Sequence, residues 1–96
     1  MELAGKYLVV WLSAEAVETF LGILDPQQES PFASWVVAGQ IAGESVPGLW
    51  MLVERVTMPD GRDVPIPEDA VYFLRWELLT TARLYQAAPR EVRRIA

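Results

Sequence analysis

Between Trp35 and Tyr85 the chain is a succession of short apolar runs separated by turn chemistry, a pattern that leaves room for little except β-structure. Residues 34–42 place Trp35, Val37 and Ile41 on one alternating face and Val36, Ala38 and Gln40 on the other. Gly39, in the middle of that run, predicts a bend or a close backbone approach. Residues 43–48 read as a turn, and residues 49–58 as a strand with Trp50, Leu52, Val56 and Met58 on one face, interrupted by Glu54. Pro59-Asp60-Gly61 is a second turn, since proline pre-sets φ and the residues after it tolerate positive φ. Residues 63–67 alternate Val64 and Ile66 with Pro65 and Pro67, which marks an edge or an extended connection. Residues 70–77 are apolar on both faces, with Val71 and Phe73 opposed to Tyr72, Leu74 and Trp76; this predicts a central strand or one lying against a partner chain. Residues 78–85 are expected to continue past a bend as a last short strand.

The N-terminal quarter has a different texture. Tyr7 to Leu12 is rich in β-branched and aromatic residues and reads as a buried strand, with the first part of a long helix starting near Glu2 as the alternative. Ser13 is a good N-cap and Glu15 sits where the helix dipole favours an acid. The spacing predicts a helix over 13–24 with Val17, Phe20, Leu21 and Leu24 as its core face, ended by Asp25-Pro26. Residues 25–31, polar with a proline near each end, read as a loop.

Ninety-six residues suit one domain: an N-terminal strand and helix element (1–25), a small β-barrel (33–86) and a basic tail (87–96). The expected fold class is mostly β, a small bent antiparallel sheet or open barrel of about five strands with one N-terminal helix. Four Trp, three Tyr and three Phe in an apolar fraction of 52% supply the core. Without Cys there is no disulfide or thiolate chemistry, and without His the commonest metal ligand and general base are missing. Net charge is −5; Arg90, Arg93 and Arg94 against Glu91 make the tail basic and leave a body of −7, which repels phosphate backbones. The first apolar run, six residues long, is far too short for a membrane span. A cytoplasmic protein with no membrane partner is therefore the expectation.

Residues 36–85 carry a family resemblance. Val37-Ala38-Gly39-Gln40-Ile41 resembles the second strand of Sm-like proteins (the Sm, LSm and Hfq type), with its apolar-x-Gly-x-apolar core. Leu49 to Val56 is similar to their third strand, Pro59-Asp60-Gly61 to their variable loop, and Val71 to Trp76 followed by Leu78 to Leu84 to their fourth and fifth strands. The family's Asp-x-Met-Asn segment for RNA bases is absent, with residues 43–48 in its place, and Trp76 replaces the glycine of its Arg-Gly pair. The first strand would be residues 7–12, with a helix inserted after it, or the start of the Trp35 strand. The resemblance implies a small barrel whose neighbouring subunits pair through their last strands.

Chemistry-bearing groups are sparse. Asp60, Asp63, Glu68 and Asp69 could form a Ca²⁺ or Mg²⁺ site of loop oxygens, but they lack EF-hand spacing and fit a solvated turn better. A Ser nucleophile would have only Lys6 as a candidate base among lysine and histidine. No phosphate-binding glycine motif occurs. The expectation is no catalytic residues, no cofactor and no metal. Tyr72, Arg75 and Arg83, with Trp76, are the nearest approach to a base-stacking surface, set against a reading in which Tyr72 and Trp76 fill the core or an interface and Arg75 pairs with Glu77 or Glu54. The preferred expectation is a non-enzymatic interaction or assembly module acting as a homo-oligomer, with Tyr72, Leu74, Trp76, Leu84 and Tyr85 as interface residues and Trp50, Met51 and Met58 as further candidates. An Sm-like RNA-binding protein and a small-molecule pocket between helix and barrel are the alternatives.

Overall fold

A computed structural model describes residues 2–23 and 34–87. It contains five strands in one antiparallel sheet that does not close, and one short helix: β1 (Tyr7–Leu12), α1 (Ala14–Leu21), β2 (Trp35–Glu44), β3 (Gly48–Thr57), β4 (Val71–Arg75) and β5 (Thr81–Tyr85), with a single 3₁₀ turn at Trp76–Leu78 before β5. The strand order is β4-β3-β2-β1-β5. Residues 7–12 are thus a strand, paired with β2 on one side and with β5 on the other. The expected loop at 25–31, the helix position Leu24 and the basic tail from residue 88 lie outside the described residues.

Ser13 caps α1 through its hydroxyl, which accepts from the Ala16 N–H at 3.2 Å. The helix stops earlier than Asp25-Pro26 predicted. Gly22 adopts φ 72°, a left-handed conformation that costs glycine little, and its N–H returns to the Glu18 carbonyl. Val17 and Phe20 are buried, and Leu21 packs partly against the core.

The inner face of the sheet is Leu8, Val10 and Leu12 from β1, Trp35, Val37 and Ile41 from β2, Leu49, Met51, Val53 and Val56 from β3, and Leu74 from β4. With Val17 and Phe20 of α1 these form one buried cluster. The helix reaches both β1 and the far strand β4, its Phe20 ring meeting Tyr72 edge-on at 6.0 Å. A smaller cluster forms on the outer face, where Tyr7, Val9 and Ala38 are buried beside Trp11, Val36 and Tyr85.

The predicted faces of β2 hold, but the single face predicted for β3 is split: Val56 is buried and Met58 packs partly against the core, whereas Trp50 is 47% exposed and Leu52 half-buried, with Met51 inward in their place. Two bulges explain the difference. Ala38 pairs with Arg55 and Gly39 with Val53, so Glu54 is an extra residue in β3; Ala42 is likewise extra in β2. Past Glu54 the inward parity switches from odd to even, which is why Val56 is inward although Val53 is too. Gly39 sits at the first irregularity because a Cβ there would lie 2.1 Å from the Leu52 carbonyl oxygen. Of the two positions expected for the 70–77 run, central or against a partner chain, the central one is corrected. Among the described residues its regular part, Val71–Arg75, pairs only with β3 and forms one edge of the sheet, while β5 forms the other.

Candidate edge surfaces

The interface candidates fall on two opposite edges. Tyr72 and Leu74 point inward from β4: Tyr72 is half-buried against Phe20, and Leu74 is fully buried in the core. As an interface residue Leu74 is therefore corrected, because its side chain has no surface left to offer. Trp76 lies just past β4 in the 3₁₀ turn and is 37% exposed; its indole N–H donates to the Ser45 carbonyl at 3.1 Å, tying β4's end to the β2–β3 turn. Leu84 and Tyr85 stand on β5, the first 41% exposed and the second packed on the outer cluster. Of the further candidates, Met51 is buried and Met58 packs partly against the core, so only Trp50 faces solvent.

One aromatic surface was not legible in the sequence. Trp50 and Phe73 face each other across β3 and β4 with ring centroids 4.8 Å apart, and Leu52 and Val71 are the next pair along. Val71 is 47% exposed, as is Trp50. The split of the β3 face at Glu54 hid this surface, since a bulge there leaves no mark in the alternation apart from that one charge.

The backbone of the edges follows from the alternation of bonded and non-bonded pairs in an antiparallel ladder. Trp76 N–H donates to the Pro47 carbonyl, so Leu49/Leu74 and Met51/Tyr72 are the bonded pairs between β3 and β4. The N–H and C=O groups of Val71, Phe73 and Arg75 are left pointing away from the sheet. Ile41 N–H donates to the Lys6 carbonyl, and the same count along β1 directs Tyr7, Val9 and Trp11 toward β5. On β5 the outward backbone groups are therefore those of Ala82 and Leu84.

Charged groups are committed locally. The Arg55 guanidinium grips Asp63 with Nε on Oδ1 at 3.2 Å and Nη2 on Oδ2 at 3.1 Å, while the Thr57 hydroxyl donates to Oδ1. These donors, Arg55 first, hold the Asp63 carboxyl below its ordinary value. Asp60 is held low chiefly by the Arg62 backbone N–H at 2.9 Å, with the Arg62 side chain adding to it. Two of the four acids proposed for a cation are thus spent on pinning the 58–63 turn, and no group of three or more potential metal ligands occurs among the described residues. The base-stacking trio is not brought together. Arg75 ends β4 and is paired with Glu77, Arg83 is at the centre of β5 on the opposite edge, and Tyr72 faces inward. Lys6 lies immediately before β1. No helix among the described residues is long and apolar enough to cross a membrane. Comparison with family models, curated proteins and solved structures finds no match.

Proposed function

We propose that this chain is a non-enzymatic assembly module that works as a homo-oligomer through the edges of its open sheet. The observation that carries the reading is the state of those edges. Both end strands are five residues long and free of Pro and Gly, and each has a single ladder neighbour among the described residues. Native sheets blunt such edges with prolines, bulges, charges or a covering element, because bare N–H and C=O groups template pairing with another chain. Here each five-residue edge carries one charge, Arg75 at the end of β4 and Arg83 within β5. The resemblance to Sm-like proteins, whose subunits join through their last strands, points the same way.

RNA binding gains no support from the arrangement, since Arg75 and Arg83 stand four strands apart and the body of the chain is acidic. Light scattering across a concentration series tests the reading. Assembly by high micromolar concentration is expected, and a monomer throughout that range ends it.

A further inference from the structure

The geometry points to a second copy of this chain as the occupant of the β4 edge, paired antiparallel about a two-fold axis with Phe73 opposite Phe73 of the second copy. This rests on the assembly reading above and names its interface. Symmetric dimers are the commonest soluble assemblies, and their one patch must complement itself. The β4 edge does so. Its outward backbone groups belong to Val71, Phe73 and Arg75, so a bonded two-fold pair at Phe73 places Val71 opposite Arg75 of the other copy at both ends. Every residue of the five then has a partner. The strand's own limits select this register: Asp69, at φ 61°, breaks the extended run on one side, and the 3₁₀ turn at Trp76 breaks it on the other. A shift of two residues in either direction leaves part of the strand unpaired, and a shift of four residues one way sets Arg75 against Arg75.

Side chains agree with the backbone. In this register the faces of the two sheets stay continuous, so the exposed Trp50 and half-buried Phe73 rings of one copy lead directly into Phe73 and Trp50 of the other. Cross-strand aromatic pairs stabilise sheets by roughly 0.2–1 kcal/mol each. Charge is complementary at the ends, where the diagonal neighbour of Arg75 is Asp69 of the second copy, with Glu68 beside it. The β5 edge does not match this. Self-pairing centred on β5 would oppose Arg83 to Arg83 in a close non-bonded pair, where like charges destabilise. Pairing β4 antiparallel with β5 of another copy would join outward groups carried by outer-face residues to outward groups carried by inner-face ones, setting the Phe73 face against the Leu84 face.

The chain has no cysteine, so a single introduced thiol reports on the register. Bonded antiparallel partners lie about 5.5 Å apart at Cα, within disulfide range. Phe73→Cys is expected to give a covalent dimer under mild oxidation, and a mixture of Val71→Cys with Arg75→Cys a covalent heterodimer, while Arg83→Cys stays uncoupled. In light scattering, Val71→Lys is expected to shift the dimer toward monomer by at least tenfold in dissociation constant, whereas Ala82→Pro, at an outward donor of β5, leaves it unchanged. Circular dichroism and melting of both variants separate lost pairing from lost folding. Coupling of Arg83→Cys with itself, or dissociation by Ala82→Pro with Val71→Lys intact, would overturn the β4 assignment while leaving assembly standing. A wild-type monomer would remove both.

Discussion

The two edge strands are equal in length and alike in composition, yet they are held in opposite ways. β4 is anchored from below: Leu74 is fully buried, Tyr72 meets the α1 ring Phe20, and Trp50 braces Phe73 from β3. β5 has the ladder to β1 and little else, with every residue exposed except Tyr85. An edge strand can therefore be integral to the core and still present an unguarded outer side. Its mirror at the other end can be loosely attached and yet guarded by one central arginine.

The strongest way to break the comparison is to lift β4 alone. Gly48 lies opposite Arg75, and a Cβ there would come within 2.2 Å of the Leu74 backbone oxygen. Backbone cannot yield as a side-chain tip does, so Gly48→Ala is expected to cost at least ~3 kcal/mol, the upper end of ordinary overpacking. Denaturant melts give the size, and hydrogen exchange should show β4 amides losing protection before those of β5. Next, Leu74→Ala is expected to cost about 2–5 kcal/mol as a fully buried leucine, against under ~0.5 kcal/mol for the exposed Leu84→Ala. Equal losses in the same melts would show that the edges are held alike.

Ser13→Ala removes the N-cap of α1 and is expected to cost about 1 kcal/mol. Because α1 touches β4 and β1, the loosening should appear in β4 exchange rates and spare β5. The smallest effect concerns Asp63, whose exposed clasp on Arg55 and Thr57 lowers its folded pKa. That sign means the contribution is complete above the ordinary carboxylate value and fades as pH falls through the folded one. Asp63→Asn should therefore flatten the acid limb of the stability curve slightly and leave the neutral region almost unchanged.

Much of the architecture could be read from residue patterns because one periodicity dominated locally. Tyr7–Leu12 has the predicted limits, Ser13 does cap a helix, and Trp35, Val37 and Ile41 do share the inner face. The misreadings arise where a single residue overrides the pattern. Gly22 ended the helix before proline could, through a backbone angle that composition does not display. Glu54 divided the expected face of β3 by being an extra residue, leaving Val56 inward and Trp50 outward, and with it went the Trp50–Phe73 surface. The two apolar faces of β4 suggested a central strand or one lying against a partner chain, but a helix on one side and a cross-strand tryptophan on the other meet much of the same need at an edge. Leu74 was a sound choice as an apolar residue and a poor one as an interface residue, since alternation alone cannot tell which face the chain itself covers.

The strand order carries a consequence for how the chain is made. β1 is the first strand to leave the ribosome, and it lies between β2 and β5. Its β5 partner comes last: Tyr7 waits for Tyr85, ~78 positions later. At synthesis rates of ~5–20 residues per second, that interval lasts roughly 4–16 seconds. Throughout it, Val9, Val10 and Trp11 sit on a bare strand beside a partly built sheet. A nascent chain of this design is most vulnerable to wrong partners until β5 emerges, and the few residues that end the danger are among the least buried in the described fold.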